Sequence, residues 1–254
     1  MDLIEIRPPA TVDEYKGACL LVEDIYHERG MAAKHGLAQP RANFVAVQGG
    51  VVLGSVGFRS ADQGQLPAEY FYNFDAEKVC SLPRAALCEI IKLAARERAD
   101  YAVFRGLIAA CTKYAFSKQG FGIGLAITKP KLEKAINRFL HIPSWAPICQ
   151  ISEQRARAEN PQYFLENTSP RPVCFSRKDY SSYEHILRQQ LQGKVVIDTE
   201  SFDHHRDYSL SSNYRRPKRR NMVQPGNPDR LQDNAPTDFF RHLAGRCYPP
   251  CHMR

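Results

Sequence analysis

Residues 83–124 read PRAALCEIIKLAARERADYAVFRGLIAACTKYAFSKQGFGIG, and the rest of the chain is arranged around them. A short apolar run carries a single acid, Glu89; Arg96 and Arg98 follow at once; a long amphipathic pattern comes next, then an apolar run spaced by glycines. Taken as strand, basic turn, helix and strand, the stretch forms an anion site, because the unpaired N–H groups and the positive end of the helix point at whatever lies in the turn. Two arginines there suit a phosphate-bearing carrier, the layout of an acyl-thioester site. Pattern alone also permits a helix: Leu87, Ile90, Ile91 and Ala94 recur at i, i+3, i+4 and i+7, and Ser81 and Pro83 are suitable helix starters. On periodicity, strand and helix are tied.

On the N-terminal side, residues 44–48 and 51–59 are rich in branched side chains and flank Gly49 and Gly50, which predicts a two-residue hairpin. A polar connection over residues 60–67 leads to the aromatic cluster Tyr70, Phe71, Tyr72 and Phe74, and a short helix is expected over residues 75–80. Earlier still, residues 3–7 alternate as a strand, and Thr11 with Glu14 forms a capping box for a helix whose apolar face is Tyr15, Cys19, Val22 and Tyr26, closing at Gly30. Residues 31–42 lack a period and read as a mobile loop over the site. On the C-terminal side, Val103, Leu107, Ala110, Cys111 and Tyr114 fall at helical spacing, and a strand is expected over 121–128. Pro130 suits the first turn of a helix that buries Leu132, Ala135, Ile136, Phe139 and Leu140. Residues 146–151 and 173–176 are strand candidates, and 183–191 a closing helix.

With these flanks included, the chain resembles the acyl-homoserine-lactone-synthase-like branch of the GNAT superfamily of acyltransferases. VEDIYHERG (22–30) is similar to its "vYc.ERg" segment, NFVAVQGGVVLGSVG (43–57) to its β-hairpin with Gly54 at the usual glycine, LPAE (66–69) to its "lP.E", and EIIKLA (89–94) to its "EiSRla"; residues 131–142 resemble its late helix. The similarity covers residues 1–179. It departs in two places: Ile91-Lys92 stands where the family has "SR", and the compact R-x-x-G-x-G pyrophosphate loop of ordinary acetyltransferases is missing. The resemblance breaks the tie in favour of a strand. It implies an α+β fold, an α/β/α sandwich with a mixed, mostly antiparallel sheet, over residues 1–192. It also implies transfer of an acyl chain from acyl carrier protein or acyl-CoA to the amine of a small amino-acid-like acceptor, the pantetheine arm lying between two splayed strands like an extra strand.

Glu89 is the candidate catalytic base. On a strand it shares a face with Leu87, Ile91 and Leu93, and a carboxylate among aliphatics has a raised pKa suited to taking a proton from an amine. The same acid of "EiSR" is a proposed base in the synthases; the plainer alternative is a structural carboxylate. Lys92, Leu93, Ala94, Arg96 and Arg98 are the expected donor-binding set, with acyl-CoA or acyl-phosphopantetheine as co-substrate and no permanently bound cofactor. Glu28, Arg29, Glu69 and Phe71 are the expected acceptor contacts. Cys88 and Cys111 have no paired histidine nearby and make poor nucleophiles. A rival reading keeps the fold as a binding module without catalysis, for an acidic partner, an acyl carrier or nucleic acid.

Composition bounds the rest. The longest apolar runs fall well short of the roughly 20 residues of a spanning helix, and the N-terminus has no apolar signal core, so a cytoplasmic protein is expected. Eight scattered cysteines then read mostly as reduced core residues. Formal net charge is +8, which favours an acidic partner. From residue 193 to 254 polar residues and prolines dominate and a basic, largely disordered tail is expected. Arg215, Arg216, Lys218, Arg219 and Arg220 could contact an anionic membrane or nucleic acid weakly. Its His242, Cys247, Cys251 and His252 lack a standard zinc spacing, so no metal site is expected.

Overall fold

The computed structural model describes residues 3–28, 42–97, 99, 101–137, 143–159, 161–165 and 168–201. All belong to the first of two compact units, Met1–Arg206; the second, Asp207–Arg254, lies outside the described residues, as do residues 31–41 of the loop expected over 31–42, whose last residue begins β2, and the basic run of the tail. In chain order the elements are β1 (Ile4–Arg7), α1 (Val12–Glu28), β2 (Ala42–Gln48), β3 (Val51–Ser60), α2 (Pro67–Tyr72), α3 (Ala76–Cys80), β4 (Leu87–Ala95), α4 (Tyr101–Lys113), β5 (Ile123–Thr128), α5 (Pro130–Ala135), α6 (Glu153–Glu159), α7 (Pro161–Leu165), β6 (Arg171–Ser176), α8 (Arg177–Leu191) and β7 (Val195–Ile197). The strands form one seven-stranded sheet in the order β6-β5-β4-β3-β2-β1-β7. Its pairs are antiparallel except β4–β5 and β1–β7.

Alternation along the strands sends their residues to two apolar layers. Ile4, Ile6, Phe44, Ala46, Val56, Phe58, Cys88 and Phe175 meet α4 and α8 on one face. On the other, Val45, Val47 and Val52 meet Ala18 and Leu21 of α1, while Leu87, Leu125 and Cys174 meet Ala61, Leu66, Ala68 and Ala76 around α2 and α3. Helix α4 is buried almost all round, from Ala102 to Thr112 apart from Arg105, as a helix apolar on every side must be. It lies close against β3 because Gly54 has no side chain: a Cβ there would stand 2.8 Å from Leu107 Cδ1 and 2.9 Å from the carbonyl of Ala94.

The hairpin forms as expected, with Gly49 at φ 55° and Gly50 at φ 77°, the left-handed conformation that such a turn requires at both centres. At the start of α1, Thr11 Oγ1 accepts the Glu14 N–H at 3.1 Å. The Glu14 carboxylate returns to the Thr11 N–H, as the capping box requires, and also takes the Ala10 N–H and a bidentate pair from Arg7, at 2.8 and 2.9 Å. Three corrections concern the flanks. Residues 146–151 form no strand; Trp145 alone bridges to Cys174, and Pro147 has no N–H to extend the ladder. Helices α2, α6 and α7 occupy stretches where aromatic or polar character hid a short helical period. The boundary expected at residue 192 moves outward, because β7 pairs in parallel with β1, tied by Ile4 N–H to Lys194 O at 3.1 Å and Asp198 N–H to Ile6 O at 2.8 Å.

Candidate active site

β4, α4 and β5 make a parallel strand-helix-strand unit in the middle of the sheet. The ladder between β4 and β5 holds for three rows only: Leu87 with Ile123, Cys88 with Gly124, and Glu89 with Leu125. Beyond Glu89 the two strands run on without pairing to each other, β4 held by β3 and β5 held by β6. Their facing edges from Ile90 and from Ala126 therefore carry backbone groups with no strand partner among the described residues. The gap opens at the carboxyl ends of the parallel strands, toward the turn that leads into α4, which is where parallel sheets collect ligands.

β4 also carries a bulge. Ser55 pairs with Ala94 and Gly57 with Ile91, so Val56 alone faces Lys92 and Leu93. Lys92 takes φ 56° to absorb the extra residue, a conformation disfavoured for residues other than glycine. Alternation resets there, and this corrects the expected shared face of Glu89 and Leu93: Leu93 packs with Ile90 against the α4 layer, while Glu89 faces α2.

Glu89 is 1% exposed. Its Oε2 accepts the N–H of Ala68, in the first turn of α2, at 2.9 Å. Burial is the main influence on its acidity and raises the pKa from 4.5 to about 8; the Ala68 N–H and the charge of Arg59 act against this, and the charge of Glu69 adds to it. A carboxyl poised near neutrality at the last row before the gap is what a proton-accepting group requires.

The other expected residues are less alike in placement. Glu69 is a structural hub: its oxygens accept from Leu66 N–H at 2.9 Å, Ala76 N–H at 3.0 Å, and Arg84 through Nη1 at 2.7 Å and Nη2 at 2.9 Å. Burial pushes its pKa up, but Arg84 and these amides outweigh burial and hold it below the usual value. Arg84, which the sequence reading did not single out, also ties the preceding connection through Ala61 O and Gly64 O. Phe71 stacks on Phe164 at 4.3 Å between ring centroids, joining α2 to α7. Glu28 is exposed at the end of α1. Arg29 and Arg98 lie outside the described residues. Arg96 is exposed in the turn and is steered by its Nε, which donates to Val52 O at 2.8 Å. Cys88 and Cys111 are wholly buried, and burial pushes both thiols up, away from thiolate chemistry.

No family model matches the chain, and no curated protein matches it in sequence. Solved structures do share the fold. FeeM, an N-acyl amino acid synthase from uncultured soil microbes, aligns with a TM-score of 0.54 at 15% identity over 74% of this chain and 99% of its own. BjaI, a CoA-dependent acyl-homoserine lactone synthase solved with SAM and isopentyl-CoA, aligns with a TM-score of 0.50 at 14% identity over 78% of this chain and 94% of its own. At these identities the likeness is one of fold, the same that the sequence motifs implied.

Proposed function

We propose that this chain is an N-acyltransferase that moves an acyl chain from an acyl carrier protein or acyl-CoA thioester to the amine of a small amino-acid-like acceptor. The observation that carries the reading is the wholly buried carboxyl of Glu89 on the last paired row before β4 and β5 part. The pantetheine arm of the donor lies in the gap and adds to the open edge of β4, its amides meeting backbone groups of Lys92, Leu93 and Ala94. Its phosphate reaches the turn before α4, where Arg96 precedes the positive end of the helix and Arg98 follows two positions later in the sequence. Ionised Glu89 removes one proton from the acceptor amine. The nitrogen attacks the thioester carbonyl, the amide bond forms as the C–S bond breaks, and the leaving thiolate takes up the proton that Glu89 removed, which returns the carboxylate to its ionised form. With substrate intracellular thioesters as donors, the enzyme acts in the cytoplasm.

The test is product chemistry with a matched variant. Mass spectrometry of lipid extracts from expressing cells should show new N-acyl amino acids or lactones, and Glu89→Gln should lower their rate of formation by about 10²–10⁴-fold while the protein stays folded. A folded Glu89→Gln variant with unchanged turnover removes Glu89 from the chemistry. Absence of any acylated product under good expression favours a binding module on the same fold.

A further inference from the structure

β3 ends in Arg59 and Ser60, and the antiparallel register sets Arg59 directly across from Glu89. Directly paired residues project from the same face with their Cβ atoms about 4.5–5.5 Å apart, so guanidinium and carboxyl rise together on the α2 side of the sheet. Two residues earlier on that face stands Gly57, opposite Ile91, which contributes no side chain to the neighbouring row. Arg59 is half-buried, and its Nε is enclosed without a partner among the described residues. Its Nη2 donates to Gln63 O at 3.4 Å and to no other acceptor among the described residues. Arg84, which holds the same connection, makes four hydrogen bonds between 2.7 and 3.0 Å. The connection is thus secured by Arg84, and Arg59 keeps a side-on fork of Nε and Nη2 that is under-used beside the candidate base. An enclosed donor on a charged group is costly to leave unmatched, and no ion pair joins Arg59 to Glu89 among the described residues.

We infer that Arg59 binds the carboxylate of the acceptor, so that the acceptor is a free amino acid and not a simple amine or an amino-acid ester. The inference rests on the reading of Glu89 as the group that takes the amine's proton. In an α-amino acid a single carbon separates nitrogen from carboxylate, and with one hydrogen bond at each end the molecule spans two cross-strand neighbours. The Nε–Nη2 edge matches a carboxylate bidentately. It also neutralises a negative charge that would otherwise stand next to ionised Glu89 and oppose its ionisation.

The experiment measures thiol release from a medium-chain acyl-CoA, and from the matching acyl carrier protein, with a panel of free L-amino acids and their methyl esters, for wild type, Arg59→Gln and Arg59→Lys. Wild type should favour the preferred free acid over its ester by at least about tenfold in kcat/KM. Arg59→Gln should raise the KM for the acid by about ten- to hundredfold and bring the acid-to-ester ratio near one, with the donor KM within a few-fold; because the Arg59 charge also lowers the pKa of Glu89, kcat should fall for acid and ester alike at neutral pH, and the ratio within each variant is the readout; Arg59→Lys should fall between. A purely structural Arg59 would lower the melting temperature and leave the acid-to-ester ratio unchanged in Arg59→Gln, and that result overturns the inference, as does a wild type indifferent to esterification. Thermal shift with the same panel gives a readout independent of turnover. Stabilisation of wild type by free acids but not esters, lost in Arg59→Gln, supports the carboxylate site even if no acceptor is acylated, in which case the acyltransferase reading alone fails. If neither turnover nor stabilisation depends on the carboxylate, the inference falls.

Discussion

Glu89→Gln should stabilise the protein by an amount that grows with pH. The carboxyl is wholly buried and its pKa is raised from 4.5 to about 8. Between those values the folded chain holds a proton that the unfolded chain has released, so wild-type stability falls as pH rises through this window. The amide keeps the shape, still accepts the Ala68 N–H, and never ionises. Linkage then gives Glu89→Gln an advantage of about 1 kcal/mol at pH 5, about 3 kcal/mol at pH 7 and nearly 5 kcal/mol at pH 9, as upper values, since water reaching an ionised Glu89 reduces the penalty. Urea denaturation of both proteins at the three pH values reads the difference directly. A stability difference that stays flat from pH 5 to pH 9 would refute the reasoning, because it would mean that Glu89 is already ionised or solvated in the fold. The same titration should appear in turnover, which rises with pH toward a plateau above about 8 if ionised Glu89 is the base.

Arg84→Ala should cost about 3 kcal/mol, because it leaves the buried Glu69 carboxylate without its counterion; Glu69 has a folded pKa lowered from 4.5, so this loss should begin to shrink as pH falls below the unfolded value and vanish once pH has fallen through the lowered folded value, and a loss that does not diminish from pH 7 into the acid range would contradict it. Gly54→Ala should destabilise by about 1–3 kcal/mol, since one of the atoms its Cβ meets is the backbone carbonyl of Ala94 and cannot swing aside; a neutral substitution would show that α4 moves off the sheet freely. Arg96→Ala combined with Arg98→Ala should raise the KM for the acyl donor more than that for the acceptor, and equal effects would detach the pair from the phosphate. Truncation after residue 192 should lower the melting temperature by removing β7 and uncovering the edge of β1, while truncation after residue 201 should leave it unchanged; indifference to the first cut would show that β7 contributes nothing to the sheet.

The local chemistry of the chain was written in its sequence. Adjacent glycines allow the left-handed turn that the flanking branched runs need at Gly49 and Gly50, Thr11 caps the helix that follows it, and Val103, Leu107 and Cys111 fall at the helical spacing that α4 adopts. The motif order implied the sandwich, and a lone acid in an apolar run marked Glu89. What the sequence left open was long-range. Residues 87–95 fit a strand or a helix equally by period, and only pairing with β3 on one edge and β5 on the other makes them a strand. One extra residue opposite Val56 moved Leu93 to the other face, a shift set by cross-strand register and invisible along a single strand. Glu69 and Arg84 lie 15 residues apart in sequence and Arg59 and Glu89 belong to different strands, so whether each acid meets a guanidinium, a backbone amide or a substrate is decided where strands and connections pack. Register and burial are properties of the assembled chain. They turned Glu69 into a structural hub, set Arg59 beside the candidate base, and drew Val195–Ile197 out of a polar tail into the edge of the sheet.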